Sequence, residues 1–164
     1  RQWSRGLGDV YKRQVLEFQP DVVISSLVED TYYIWQKMME RVIDQSFVSI
    51  VGGVFPTAAP HLFDDKCDYL CRGEGDEAIP EMMDYISEGK SCKDLLNVWP
   101  NPLRDVVDVN TLPITDHTIF PDKSLYRPFQ GKIVKIATIE TQRGCPFKCA
   151  YCNSPGKNLS LIHI

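Results

Sequence analysis

Val22-Val-Ile-Ser-Ser-Leu-Val28, directly after Asp21, is a short apolar run rich in β-branched residues. That is the pattern of a strand buried on both faces in a parallel sheet. From Glu29 to Gln45 the period changes. Ile34, Trp35, Met38, Met39, Val42 and Ile43 fall at helical spacing, with Gln36, Lys37, Glu40 and Arg41 on the other face. Phe47-Val-Ser-Ile-Val51 reads as a second strand and ends in Gly52-Gly53. A short helix is expected after Pro60, and Asp68-Tyr-Leu-Cys71 is a third strand running into Arg72-Gly-Glu-Gly75. Asp76 to Ser87 reads as a helix, with Ile79, Met82, Met83 and Ile86 as its apolar stripe and Gly89 as its stop. Strands alternating with helices through short connections predict an α/β, doubly wound, Rossmann-like domain over residues 15–98.

Downstream the pattern breaks. Pro100, Pro102, Pro113, Pro121 and Pro128 interrupt any long element between Trp99 and Phe129. A Pro-rich surface linker over residues 99–130 is the expectation. Lys132-Ile-Val-Lys-Ile-Ala-Thr-Ile-Glu140 then alternates as a strand and feeds into a cysteine loop. A strand ending in a ligand loop is the expected start of a β/α barrel, whose sites lie at the C-terminal ends of its strands. Residues 131–158 are read as that start.

The loop is Arg143-Gly-Cys-Pro-Phe-Lys-Cys-Ala-Tyr-Cys-Asn153, with Cys145, Cys149 and Cys152 at C-x3-C-x2-C spacing. Thiolates are the usual ligands of iron–sulfur clusters. A structural zinc site almost always takes four ligands, and no second cysteine pair lies near 145–152. With Arg143, Gly144, Pro146, Phe147 and Tyr151, the run resembles the radical S-adenosylmethionine (SAM) superfamily. The resemblance implies a [4Fe–4S] cluster on Cys145, Cys149 and Cys152, with one iron free to bind SAM. It places Tyr151 near the SAM adenine. It also implies a reductant such as flavodoxin or ferredoxin, and a 5′-deoxyadenosyl radical that abstracts hydrogen from an unactivated carbon.

In open α/β sheets ligands sit beyond the carboxyl ends of the strands. Three such ends here carry small or polar residues: Ser25-Ser26-Leu27, Gly52-Gly53 and Gly73-Glu74-Gly75. Each alone is an ordinary βα turn. Together with Val51-Gly-Gly-Val-Phe-Pro-Thr57 and Arg72-Gly-Glu-Gly75, they resemble the cobalamin-binding domain that precedes the barrel in one large group of radical SAM enzymes. That likeness covers nearly all of residues 15–158. It implies cobalamin contacts at Ser25, Leu27, Gly52, Gly53, Gly73, Glu74 and Gly75, and methyl transfer or a related radical reaction. Two alternatives stand beside it. One is a methylthiotransferase, whose cluster loop also contains Gly-Cys-Pro-Phe and whose first domain holds a second cluster. The other is a cobalamin-binding module without catalysis. The substrate and the catalytic residues are not legible.

The two ends read as foreign. Asp9-Val-Tyr-Lys-Arg-Gln14 back-translates as GATGTGTATAAGAGACAG, and Leu159-Ser-Leu-Ile-His-Ile164 as CTGTCTCTTATACACATC. These are reverse complements and resemble a transposase end sequence, so residues 1–14 and 159–164 are set apart from the fold as adapter translation. The expectation is a fragment, inactive by itself, of a larger enzyme.

Setting those ends apart removes four of 18 basic residues and one of 22 acidic ones, leaving 14 against 21 and a net charge of −7. An acidic chain without a basic stripe argues against a nucleic-acid surface. No apolar run approaches the length of a membrane span. Of the six cysteines, Cys67, Cys71 and Cys92 are expected to be buried structural thiols, and a reducing cytoplasm suits the set better than a disulfide scaffold. His61 and His117 stand alone, Asp116 is a candidate for cofactor contact, and the Met38-Met39 and Met82-Met83 pairs are core filler.

Overall fold

A computed structural model describes residues 10, 12–42, 46–136, 142–143, 150 and 162–163. Cys145, Cys149, Tyr151 and Cys152 lie outside these residues. The chain divides into two compact units that meet in sequence at Val107 and Asp108. Each is described by itself.

The first unit is α/β. Strands β1 (Val22–Ser26), β2 (Val48–Gly52) and β3 (Tyr69–Leu70) form a parallel sheet in the order β1-β2-β3. Val22 stands opposite Val48 and Ser26 opposite Gly52, while Ile50 and Val51 face Tyr69 and Leu70. Helix α1 (Glu29–Val42) links β1 to β2. A one-turn helix α2 (Val54–Ala58) and a 3-10 turn (Pro60–Phe63) lead to β3, and α3 (Ala78–Ser87) follows it. Residues 12–18 are also helical, across the boundary drawn at Val15.

Neighbouring residues of β2 explain the layering. Ile50 and Val51 point to opposite faces, as a strand requires, yet both are fully buried. Ile50 joins a core with Cys71, Ala78, Met82, Cys92, Leu95 and Val98, supplied by α3 and the segment after it. Val51 joins a second core with Leu27, Trp35, Phe63 and Leu70, supplied by α1 and the turn after β2. Helices therefore cover both faces, the layering expected of a doubly wound domain.

Local chemistry sets the helix ends. The Val28 N–H donates to the Thr31 hydroxyl, which donates back to the Val28 carbonyl. Glu29 and Asp30 complement the helix dipole in the first turn of α1. Trp35 and Val42 are buried along its inner face, with Tyr32, Met38 and Met39 packed beside them. Helix α3 closes at Gly89, where the Lys90 N–H donates to the Tyr85 carbonyl at 2.8 Å.

The expected linker is only partly a linker. Residues 97–107 pack on the sheet unit, and Val107 is buried there. In the second unit, β4 (Tyr126–Phe129) and β5 (Lys132–Lys135) form an antiparallel hairpin around Gln130-Gly131. Both turn residues have positive φ, the two-residue turn whose twist matches paired strands. The predicted strand Lys132–Glu140 therefore begins as described but is partnered by part of the expected linker. Its remainder, residues 137–140, lies outside the described residues. Strands β6 (Gln142–Arg143) and β7 (Ile162–His163) pair antiparallel. Among the described residues no helix is long and apolar enough to cross a membrane.

Candidate functional site

The three parallel strands end on one edge of the sheet, which brings Ser25-Ser26-Leu27, Gly52-Gly53 and the loop from Arg72 to Gly75 together there. The Leu27 N–H donates to the Gly52 carbonyl at 2.8 Å, and the Leu27 carbonyl accepts from Phe55. The Gly53 carbonyl accepts from both the amide and the hydroxyl of Thr57, and that hydroxyl accepts the Gly73 N–H at 3.0 Å. One threonine thus ties the end of β2 to the loop after β3.

Gly53 has a reason internal to the fold. Its φ is +103° with ψ −177°, and a Cβ there would lie 2.7 Å from both the amide nitrogen and the carbonyl oxygen of Leu27. Such backbone is essentially reserved for glycine. At Gly52 a Cβ would meet the Cys71 carbonyl oxygen at 3.3 Å, and at Gly75 the Ile79 side chain at 3.2 Å. These small residues let the chain approach itself.

Glu74 and Asn97 fasten the next segment across this edge. The Glu74 carboxylate accepts the Val107 N–H at 3.0 Å, and its carbonyl accepts from the Asn97 side-chain amide at 2.8 Å. Asn97 is buried, and its side-chain oxygen accepts the Arg104 N–H. Sequence reading missed Asn97, and it took in Thr57 only as the last residue of the Val51–Thr57 run, without this tie. The available signal for Asn97 was its residue type, since asparagine tolerates the positive φ of +67° found there.

Two side chains at the edge remain available to a ligand. Ser26 is exposed. Arg72 stacks on Trp99, its guanidinium carbon 4.9 Å from the ring centroid. A hydroxyl and a guanidinium at one edge can donate hydrogen bonds to carbonyl or phosphate oxygens of a ligand. Leu27, in contrast, is buried in the core beside Trp35 and Val51.

Cys67, Cys71 and Cys92 are free thiols. Cys67 packs with the Val51 core and Cys71 with the Ile50 core, on opposite faces of the sheet. Cys92 lies with Cys71, its thiol against the Met82 carbonyl. Burial pushes the Cys67 thiol up to about 12, helped by Asp68 and Asp64, and burial also raises Cys71 and Cys92. Among the described residues no group of three or more His, Cys, Asp or Glu could hold a metal ion.

Asp116 is engaged locally. Its carboxylate accepts the amide and hydroxyl of Thr118, which holds it below its ordinary range. His61 sits exposed in the 3-10 turn after α2. A cleft of about 520 Å³ lies at the opposite end of the strands, lined by Trp35, Met39, Phe47, Lys66, Cys67 and Asp68 among others. There Asp68 ties β3 to β2 by accepting the amide and hydroxyl of Ser49.

The chain is 30% identical over 159 residues to an uncharacterized methyltransferase of Pyrococcus horikoshii, covering 85% of this chain and 33% of that protein. It is 22% identical over 160 residues to the anaerobic magnesium-protoporphyrin IX monomethyl ester cyclase of Cereibacter sphaeroides, covering 84% and 25% respectively. Both relatives are enzymes by name. The chain spans a third or less of the length of these curated relatives. No protein-family model matches it, and no solved structure does.

Proposed function

We propose that this chain is part of a cobalamin-dependent radical SAM enzyme, with methyl transfer as the reaction. The carrying observation is the C-x3-C-x2-C run of Cys145, Cys149 and Cys152 downstream of a parallel α/β sheet whose strand ends are small and polar. Similarity to a methyltransferase and to an anaerobic cyclase supports an enzyme of this kind.

In this reading Cys145, Cys149 and Cys152 hold a [4Fe–4S] cluster and Tyr151 lies against SAM. Cluster and SAM together supply radical chemistry, and cobalamin supplies the methyl carrier. Residues 15–107 form the cobalamin platform, with Ser25, Ser26 and the Gly73-Glu74-Gly75 loop at its edge. Gly52 and Gly53 act indirectly, by letting β1, β2 and α2 close on one another. A methylthiotransferase needs a second cluster in its first domain. Cys67 and Cys71 lie on opposite faces of the sheet and give it no shared ligand set among the described residues.

The test is anaerobic reconstitution of the full-length parent with iron and sulfide, followed by iron counting and visible absorption. The expected result is about four irons per chain and a broad charge-transfer band. Both should be lost on changing Cys145, Cys149 or Cys152 to alanine and kept on changing Cys67 or Cys71. Stoichiometric zinc without iron would defeat the reading.

A further inference from the structure

In the hairpin of the second unit Arg127 stands opposite Val134, and Phe129 opposite Lys132. Alternation along each strand puts Arg127, Phe129, Lys132 and Val134 on one face and Tyr126, Pro128, Ile133 and Lys135 on the other. All but Val134 are exposed, Phe129 to 58%. The two faces differ in how their charge is met. Lys135 is paired with Asp122 and lies 5.9 Å from the centre of the Tyr126 ring, so the Ile133 face is apolar with its one cation neutralised. Arg127 and Lys132 are the neighbours of Phe129 along and across the hairpin, and neither forms an ion pair among the described residues. Residues 122–135 hold four basic side chains (Lys123, Arg127, Lys132 and Lys135) against one acidic one, in a chain with 18 basic and 22 acidic residues. An exposed aromatic ring beside an arginine has the make-up of a protein-docking patch, and unpaired cations select a partner of opposite sign. A two-stranded hairpin is marginally stable by itself, so cover on that face also steadies it.

We propose that the Arg127–Phe129–Lys132 face docks an acidic protein, a one-electron carrier of the flavodoxin or ferredoxin kind. The charge of the face calls for an acidic protein surface, and the carrier's identity rests on the radical SAM reading above. That reading needs one electron from outside: the carrier loses it and the [4Fe–4S] cluster gains it, with no proton or atom exchanged. Strand β5 leads in sequence toward the cluster cysteines. Ten residues separate Lys135 from Cys145, so at most about 35 Å of extended chain lies between them. A nucleic acid fits this face less well, because so few unpaired cations neutralise few phosphates and the chain as a whole is acidic.

The experiment reconstitutes the full-length parent anaerobically and titrates it with purified flavodoxin, ferredoxin, single-stranded DNA and phosphatidylserine vesicles. Wild type is compared with Arg127→Glu, Lys132→Glu and Phe129→Ala. The control is Lys93→Glu, an exposed lysine of the sheet unit that forms no ion pair among the described residues. Wild type should bind at least one carrier, more weakly as salt rises. Arg127→Glu and Lys132→Glu should each weaken that binding by about 10-fold or more, and Phe129→Ala by about 5-fold. Lys93→Glu should change it by less than about twofold, and melting temperature and iron content should stay at wild-type values throughout. Equal weakening by Lys93→Glu would reduce the effect to net charge and overturn the proposal. Tighter binding of DNA or vesicles than of either carrier would overturn it too, as would a parent that holds its cluster and binds neither carrier. A parent that binds a carrier through these residues yet holds no iron would support the docking surface and overturn the radical SAM reading.

Discussion

Gly53 carries two demands at once, a positive φ and a 2.7 Å approach to the Leu27 backbone. Any side chain there forces β1 and α2 apart, so Gly53→Ala should cost about 1–3 kcal/mol from backbone strain alone. Urea denaturation followed by circular dichroism reads this directly, and an unchanged midpoint would show that the approach is loose. Gly53→Val should therefore lose the fold and any bound cofactor together. Cys67 offers a second residue-scale test. Its thiol titrates near 12 in the folded chain against an ordinary 9.0. The folded state thus holds the proton more tightly than the unfolded state. That contribution is complete below pH 9 and lost as pH rises toward 12. Stability should fall across this window, and Cys67→Ala should make the fall shallower. The neutral thiol should also react slowly with iodoacetamide at pH 8, because the thiolate is the nucleophile.

The elements most legible in the sequence were those whose apolar pattern is long enough to repeat. Helices α1 and α3 showed their buried faces through spacing. The strand read as buried on both faces, β1, is however only half-buried with Ile24 exposed, and it is β2, whose apolar run Ser49 interrupts, that is buried on both sides. Helix α2 was hidden because five residues cannot display a period. Pro56 sits in its first turn, where the missing N–H has no intrahelical partner in any case. Strand β4 was hidden by Pro128, which a two-stranded exposed hairpin tolerates and an interior strand would not. At the candidate site the glycines were legible, but not the Leu27 and Cys71 backbone that requires them, because those contacts join loops distant in sequence. For α3 the packing makes a graded prediction. Met82 is fully buried and Met83 only partly so. Met82→Ala should cost about 2–5 kcal/mol, the range for emptying a core position. Met83→Ala should cost clearly less. Denaturant midpoints for the two variants compare them, and equal losses would contradict the assigned faces.

At the scale of the chain, the sheet unit runs on to Val107, past the boundary expected at Val98. Backbone bonds between Asn97 and Arg72 and between Trp99 and Leu70, the Trp99 indole bond to Asp64 and a further set of side-chain contacts hold 97–107 onto it. Asn97 is buried and bonds the Glu74 carbonyl and the Arg104 amide, the Glu74 carboxylate holds the Val107 amide, and Arg104 pairs with Glu81. Beyond Val107 the cover ends, and Ile114, Ile119 and Phe120 are all exposed. A protease needs several residues of extended, accessible chain, so exposed segments without packing are cut first. Pro121 blocks the bond after Phe120, so limited chymotrypsin digestion should cut after the exposed Tyr126 or Phe129, and trypsin near Lys123, before either cuts within 97–107. The bond after Arg104 should resist trypsin although arginine is a preferred site. Glu74→Ala removes the acceptor that holds Val107, and should open the Arg104 bond to trypsin while the circular dichroism of the sheet unit persists. Early cleavage after Arg104 in the unsubstituted chain would return 97–107 to the linker and leave Glu74 without this fastening role.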